Sequence, residues 1–206
     1  MARLIRAVVA AHAAPTQLVG WQPSGPPTTP TGSPPASPSA AATPTFLCTP
    51  EAGGAESQCT QAQYDEMKAK DALYAEAEAV FREYFAENIR ISRAGGIEEP
   101  TEVMLRTTHG AYLADTLRLF KNLRRENLRA RGDDPQIVRI TRLPGRSKAG
   151  SEVALRVCVD ATHWAFYSGG RLSTRGIVAE DETYFGRIDG RLLIIGADGK
   201  DVEKCA

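Results

Sequence analysis

The sequence has no excess of positive charge and lacks the short motifs that mark several enzyme classes. Its 206 residues carry 25 lysines and arginines against 25 aspartates and glutamates. Nucleic-acid binding is driven by counterion release at clustered basic residues, so this balance argues against a nucleic-acid partner. The chain contains no Walker loop, no Gly-x-Gly-x-x-Gly, no His-Glu-x-x-His and no Gly-x-Ser-x-Gly. Nucleotide-driven, zinc-protease and α/β-hydrolase chemistry therefore have no support in the sequence.

Charge is missing altogether from Ala7 to Pro50, and eight of the thirteen prolines fall between Pro23 and Pro44. Such a segment cannot bury enough apolar surface to offset the entropy lost on ordering. Residues 22–45 are therefore predicted to be a disordered linker, extended by its prolines.

Residues 1–21 are interpreted as a weak or truncated export or anchor segment, which would bring the chain close to a membrane. Ala11-His12-Ala13 resembles the small-x-small end of a signal peptide. The apolar run is shorter than the roughly 20 residues of a spanning helix. A start that lies upstream and a disordered segment are the alternatives.

The four cysteines favour two disulfides over a metal site. No pair has C-x-x-C spacing, and no histidine lies near Cys48, Cys59 or Cys205. Of the three connectivities, sequence position favours Cys48 with Cys59, across a Gly-Gly loop, and Cys158 with Cys205. An even cysteine count beside a Pro/Thr/Ser spacer favours an extracellular or cell-envelope location. Four reduced cysteines in the cytoplasm are the alternative.

Three helices are predicted in the first half of the remaining chain. Residues 60–63 have the form of a capping box, so a long amphipathic helix is predicted from there to about Ser92. A second helix begins around Thr101 and breaks at Gly110. The third carries an apolar face and is predicted to end toward Gly132.

After Pro135 the apolar period changes from helical to two, which indicates strands. Strands are predicted at residues 137–143, 153–162, 175–188 and 191–195. In the second strand, Val157 and Val159 face one side and Cys158 and Asp160 the other. Asp189-Gly190 is a strong hairpin signal. Helices followed by hairpin-linked strands indicate an α+β fold with the helices on one face of an antiparallel sheet.

Three amphipathic helices followed by a meander of long strands resemble the nuclear-transport-factor-two-like cone, also called SnoaL-like. The stretch Phe46-Leu-Cys-Thr-Pro-Glu-Ala-Gly-Gly and the strand Val157-Cys158-Val159-Asp160 with its terminal Cys205 resemble exported actinobacterial proteins of that superfamily. The resemblance covers most of residues 46–206. It implies one α+β domain, cone-like, with three N-terminal helices packed on a curved antiparallel sheet.

The resemblance also implies a pocket between the helices and the concave sheet face, where enzymes of the superfamily place an aspartate or histidine for proton abstraction or dehydration. The candidate pocket residues are Tyr84, His109, Tyr112, His163 and Tyr184. His163 shares the register of Val157 if the strand stays regular. Structural roles for both histidines are the alternative.

Two charged runs are interpreted as solvated surface. Glu180-Asp181-Glu182 lies in a predicted strand, where neighbouring side chains alternate faces, so a solvated edge is expected. The basic run from Lys121 to Arg131 is interpreted as a solvated helix face, with contact to phosphate or anionic lipid as the alternative.

Taken together, these features favour a noncatalytic exported accessory domain at the cell envelope, which binds a protein partner or a small apolar ligand. An isomerase- or dehydratase-type enzyme with a His/Tyr pocket is the first alternative. A homodimerisation or assembly module is the second, and fold alone does not choose among them. No cofactor, metal or nucleic acid is expected.

Overall fold

A computed structural model of the chain describes residues 45–148 and 150–205. The predicted export segment and the predicted linker up to residue 44 lie outside the described residues. The elements in chain order are β1 Phe46–Cys48, β2 Ser57–Cys59, α1 Gln61–Ala94, α2 Glu102–Thr107, α3 Gly110–Arg125, β3 Leu128–Gly132, β4 Gln136–Arg142, β5 Val153–Asp160, β6 Trp164–Ser168, β7 Arg171–Arg175, β8 Val178–Ile188 and β9 Arg191–Val202.

The protein is α+β, with helices and antiparallel sheets, as the sequence predicts. The three helices are not its first elements, because β1 and β2 form an antiparallel hairpin ahead of α1. Strands of three residues are too short to show an alternating pattern, which is why the sequence did not reveal them. The Cys48–Cys59 disulfide ties the two strands together, with 5.8 Å between the Cα atoms.

Local capping interactions define the helix starts. The hydroxyl of Thr60 accepts a hydrogen bond from the backbone N–H of Gln63, and the side chain of Gln63 accepts one from the backbone of Thr60. This is the predicted capping box. Helix α1 ends before Gly95, which adopts a left-handed conformation with φ 87°. Thr101 caps α2 in the same way, by accepting from the N–H of Met104.

The predicted end of the third helix is wrong. Helix α3 ends at Arg125, and Asn127 turns the chain with φ 50°. Residues 128–132 then form β3, which pairs with β6 instead of continuing the helix. The basic run from Lys121 to Arg131 is consequently divided between a helix and a strand.

The strands form a four-stranded sheet in the order β4-β5-β8-β9 and a three-stranded sheet in the order β3-β6-β7. The chain turns at residues 161–163, so the predicted strand 153–162 ends at Asp160 as β5, and β6 follows as a separate strand. A second break at Gly176 separates β7 from β8. The backbone passes close to Ala161 here, and a Cβ at this position would collide with the carbonyl oxygen of Ala161, so the position suits glycine. The predicted Asp189-Gly190 hairpin joins β8 to β9, with φ of 49° and 78°.

The core lies between α1 and the four-stranded sheet. Inward side chains of β5 alternate with outward ones, as predicted, and the inward ones pack against α1. The buried residues of this cluster are Tyr74, Ala77, Phe81, Tyr84, Val153, Leu155, Val157, Phe185, Leu192 and Ile194. A second cluster, of Ile91, Met104, Phe120 and Leu123, packs against Leu128 and Phe166 of the three-stranded sheet. Across residues 45–148 and 150–205, no helix is both long and apolar enough to cross a membrane.

The second disulfide joins Cys158 in β5 to Cys205, 47 residues later. Both disulfides are the pairs that sequence position favours. In the chain-entropy model, loops of these lengths stabilise the fold by about 3 kcal/mol for Cys48–Cys59 and about 4 kcal/mol for Cys158–Cys205. Two disulfides are consistent with a protein of an oxidising compartment.

Candidate functional site

Two of the five predicted pocket residues lie together in the interior. The hydroxyl of Tyr112 in α3 donates a hydrogen bond to the hydroxyl of Tyr84 in α1, at 2.9 Å. Their ring centroids are 5.6 Å apart. The hydroxyl of Thr116, one turn after Tyr112, lies 3.4 Å from that of Tyr84. These three hydroxyls form a hydrogen-bond network between the two helices. Tyr84 and Tyr112 are called here the tyrosine pair.

His109 does not join this network. It is the residue before α3, it is exposed, and its side chain makes no capping hydrogen bond. Its backbone N–H donates to the carbonyl oxygen of Ile194, which fixes the start of α3 against β9. In the described structure the role of His109 is therefore structural, through its backbone.

His163 also lies outside the interior. Strand β5 ends at Asp160, so His163 does not share the register of Val157 and instead lies exposed in the turn before β6. The carboxylate of Asp160 accepts hydrogen bonds from the backbone N–H and the hydroxyl of Thr162, at 2.9 and 2.7 Å. These bonds stabilise the turn and lower the pKa of Asp160.

Tyr184 is buried on the opposite face of the four-stranded sheet, away from the tyrosine pair. Its hydroxyl donates to Glu182 at 3.1 Å, and the amino group of Lys148 lies 4.8 Å from its ring centroid. Burial, followed by the hydrogen bond to Glu182, raises the pKa of Tyr184 to about 12. Tyr184 thus belongs to a charged outer surface, where Glu182 also pairs with Arg156.

The acidic triplet contains the residue that sequence reasoning missed. Strand β8 lies between β5 and β9, so the interpretation as a solvated edge is wrong. Glu180 and Glu182 face the outer surface, where Glu180 pairs with Lys200 at 3.0 Å. Asp181 lies opposite the buried Val157 and therefore faces the helices.

The carboxyl group of Asp181 has an unusual environment. Burial raises its pKa, and no hydrogen bond to it comes from any residue in the described ranges. A Cβ added to Gly199 of β9 would collide with its Oδ1, so the carboxyl occupies the space that a side chain at 199 would fill. Gly199 is exposed, which places Asp181 near the open end of the interior.

Asp181 is electrostatically coupled to the tyrosine pair. The pKa of Tyr112 is raised well above its usual value, first by burial, then by Tyr84, and further by the charge of Asp181. Asn88 follows Tyr84 by one turn on the same side of α1. Its buried Oδ1 accepts no hydrogen bond from the described part of the chain. Asn88 therefore carries a buried acceptor without a described donor, whereas the carboxyl of Asp181 is only partly buried.

A sequence signal for Asp181 existed in the strand alternation. Counting back by two from the buried Phe185 gives Thr183 and then Asp181. This signal can be used only when Phe185 is known to face the helices, and that orientation follows from the pairing of β8 with β5. Chemically, this arrangement can accept hydrogen bonds from an amine or hydroxyl group, and the carboxylate can also act as a base.

An open groove lies elsewhere, between the β1–β2 hairpin and α1. It has a volume of about 270 Å³ and includes the Cys48–Cys59 disulfide. Its polar groups satisfy one another, since Glu51 accepts from Tyr74 at 2.7 Å and Lys70 at 3.0 Å. These bonds outweigh burial and lower the pKa of Glu51. They attach the hairpin to α1, so the groove has a sufficient structural explanation.

No model of a known protein family matches the chain, and no curated protein is significantly similar to it. Among residues 45–148 and 150–205, no cluster of three or more His, Cys, Asp or Glu side chains could hold a metal ion. The function is therefore argued from Asp181, Asn88 and the tyrosine pair.

Proposed function

We propose that the protein is an exported, noncatalytic binding domain of the nuclear-transport-factor-two-like type that takes a small, mainly apolar ligand between α3 and strands β8 and β9. The observation that carries this proposal is the carboxyl group of Asp181. It faces the helices, its charge contributes to the raised pKa of Tyr112, and it has no hydrogen-bond donor among the described residues.

The chemistry of the unpaired groups defines the ligand class. Buried polar atoms are usually hydrogen-bonded, and an unpaired acceptor is destabilising. The carboxyl of Asp181 accepts hydrogen bonds and is only partly buried, so a ligand at this position would carry an amine or hydroxyl donor. The surrounding side chains are aliphatic and aromatic, which favours a small apolar body for the rest of the ligand.

Export is supported by the two disulfides and by the charge-free, proline-rich segment that precedes the described domain. A domain held at the cell envelope by such a spacer meets ligands in the extracellular space. The absence of both histidines from the interior supports a binding role over the predicted His/Tyr chemistry.

An enzyme that uses Asp181 as its base is the second candidate, and the raised pKa of that carboxyl favours it. In this case Asp181 would accept a proton from carbon, and the hydroxyl of Tyr112 would leave its bond to Tyr84 to donate to the developing oxyanion. The homodimer hypothesis has less support. The outer face of the four-stranded sheet carries ion pairs such as Arg156–Glu182 and Lys200–Glu180, instead of an apolar patch.

Amide chemical shifts of the ¹⁵N-labelled protein, followed during titration with benzylamine, benzyl alcohol and benzoate, test the binding proposal. We expect benzylamine to shift the signals of Tyr112, Asp181 and Gly199, and benzoate to leave them in place. The Asp181→Asn variant should lose this response. Asp198→Asn is the matched control, because Asp198 lies on the outer face of β9 and pairs with Lys148.

Shifts confined to other surfaces, or shifts unaffected by Asp181→Asn, would contradict the proposed site. Deuterium exchange into the α-carbon of cyclohexanone in D₂O separates binding from catalysis. Exchange accelerated by the wild-type protein and lost in Asp181→Asn would replace the binding proposal with the enzyme.

A further inference from the structure

The three-stranded sheet β3-β6-β7 carries positive charge that no described residue neutralises. Its strands contain four exposed arginines, Arg129, Arg131, Arg171 and Arg175, and no acidic residue. Most other arginines in the described ranges pair with a carboxylate, whereas these four form no salt bridge with a described residue. The balanced net charge of the chain therefore conceals a local excess.

Strand register places most of this charge on one face. Arg131 and Arg175 both lie opposite Ala165, one on each side, so they share a face. Arg129 and Leu172 lie in the same way on either side of Tyr167. These residues, Arg129, Arg131, Tyr167, Leu172 and Arg175, are called here the basic sheet face.

The other side of the sheet packs on the helices, since Leu128 and Phe166 contact the cluster around Phe120. The basic sheet face is therefore the solvent side, and of its arginines Arg129 also lies against Gly95 at the end of α1. The guanidinium of Arg131 lies 5.5 Å from the ring centroid of Tyr167, and Leu172 is 45% exposed. Acidic residues flank β3 at its ends, where Glu126 pairs with Arg125 and Asp133 is exposed.

We propose that the basic sheet face docks onto the surface of an anionic phospholipid bilayer. Arginines without a carboxylate partner are available to lipid phosphates. An exposed leucine beside a tyrosine suits the boundary between headgroups and acyl chains, where such side chains bury apolar surface. A soluble polyanion offers no apolar phase to Leu172, so a bilayer fits the combination better than a nucleic acid does.

Sedimentation of the full-length protein with vesicles tests this surface. The vesicles are phosphatidylcholine alone, or phosphatidylcholine with 30 mol% phosphatidylglycerol, in about 50 mM salt. We expect binding only to the phosphatidylglycerol vesicles. Since each arginine at an anionic surface contributes about fivefold in affinity, R131Q/R175Q should weaken binding by about 25-fold. L172S should weaken it further in each background.

The double variant R139Q/R191Q is the matched control. Arg139 and Arg191 are also exposed and form no salt bridge with a described residue, but they lie in β4 and β9. The control removes the same net charge, and any binding by residues 1–21 is common to all variants. Equal losses in the two double variants would overturn the proposal. So would no binding of the wild type to phosphatidylglycerol, or tighter binding to duplex DNA at equal phosphate concentration.

Discussion

Replacing Asp181 with asparagine should stabilise the protein while abolishing the proposed ligand response. The substitution keeps the size of the side chain and removes a charge that burial disfavours. A buried polar or charged group without a hydrogen bond costs about 1–3 kcal/mol. Because Asp181 is only partly buried, we expect the low end, about 1 kcal/mol, which is about 2–4 °C in Tm for a domain of this size.

The pH dependence follows from the direction of the pKa shift. The folded-state pKa of Asp181 is raised above its ordinary value of 3.8, so the folded state binds more protons between these two values. The free energy of unfolding of the wild type therefore falls as the pH rises through this interval. Asp181→Asn removes this pH dependence. The stability gain of the variant over the wild type should therefore be largest near pH 7, and it should vanish as the pH falls to the ordinary pKa of an aspartate.

Urea denaturation of both proteins from pH 4 to 8, followed by circular dichroism, measures this difference. Asp198→Asn is again the control, and it should give no stabilisation because it removes an ion pair with Lys148. An Asp181→Asn variant that is less stable than the wild type at pH 7 would refute the reasoning. So would a stabilisation that is equal at pH 4 and pH 8.

Two further changes have defined outcomes. Gly199→Ala should displace the Asp181 carboxyl, because the new Cβ would collide with it, and benzylamine should then lose its effect on the chemical shifts. Since Gly199 does not have a positive φ, the loss should come without backbone strain, and a retained response would contradict the assigned space. Replacing both cysteines of Cys158–Cys205 with serine should lower the free energy of unfolding by about 4 kcal/mol, and the same change at Cys48–Cys59 should lower it by about 3 kcal/mol. Urea denaturation measures both losses, and a larger loss at Cys48–Cys59 would contradict the loop-length argument.

Features set by neighbouring residues were predictable from the sequence. The capping box at Thr60, the alternation in β5 and the Asp189-Gly190 hairpin depend on local geometry, and the structure contains all three. The hairpin β1–β2 and the three strands of the smaller sheet, β3, β6 and β7, were missed. Their short strands carry too little pattern, and β3 is recognisable only through its pairing with β6.

The candidate site was predicted only in part, because the positions of some of its residues depend on where strands end and how they pair. Tyr84 and Tyr112 are aromatic residues on helix faces, and helical spacing already directs them inward. His163 was tied to a strand that ends three residues earlier, because Asp160 bonds to Thr162 and turns the chain. Asp181 was assigned to solvent with its neighbours, since only the pairing of β8 with β5 separates its face from theirs.

Both proposed sites contain charged groups without a partner among the described residues, whereas most other described charges are paired. They differ in the effect of the charge on the stability of the folded protein. Asp181 is desolvated, so its ionised form destabilises the fold, and a stability gain in Asp181→Asn identifies it as a residue retained for something other than folding. Arg131 and Arg175 are exposed and form no salt bridge with a described residue, so their removal should leave Tm nearly unchanged. A stability scan would therefore find the interior site and miss the basic sheet face, which only a binding measurement can detect.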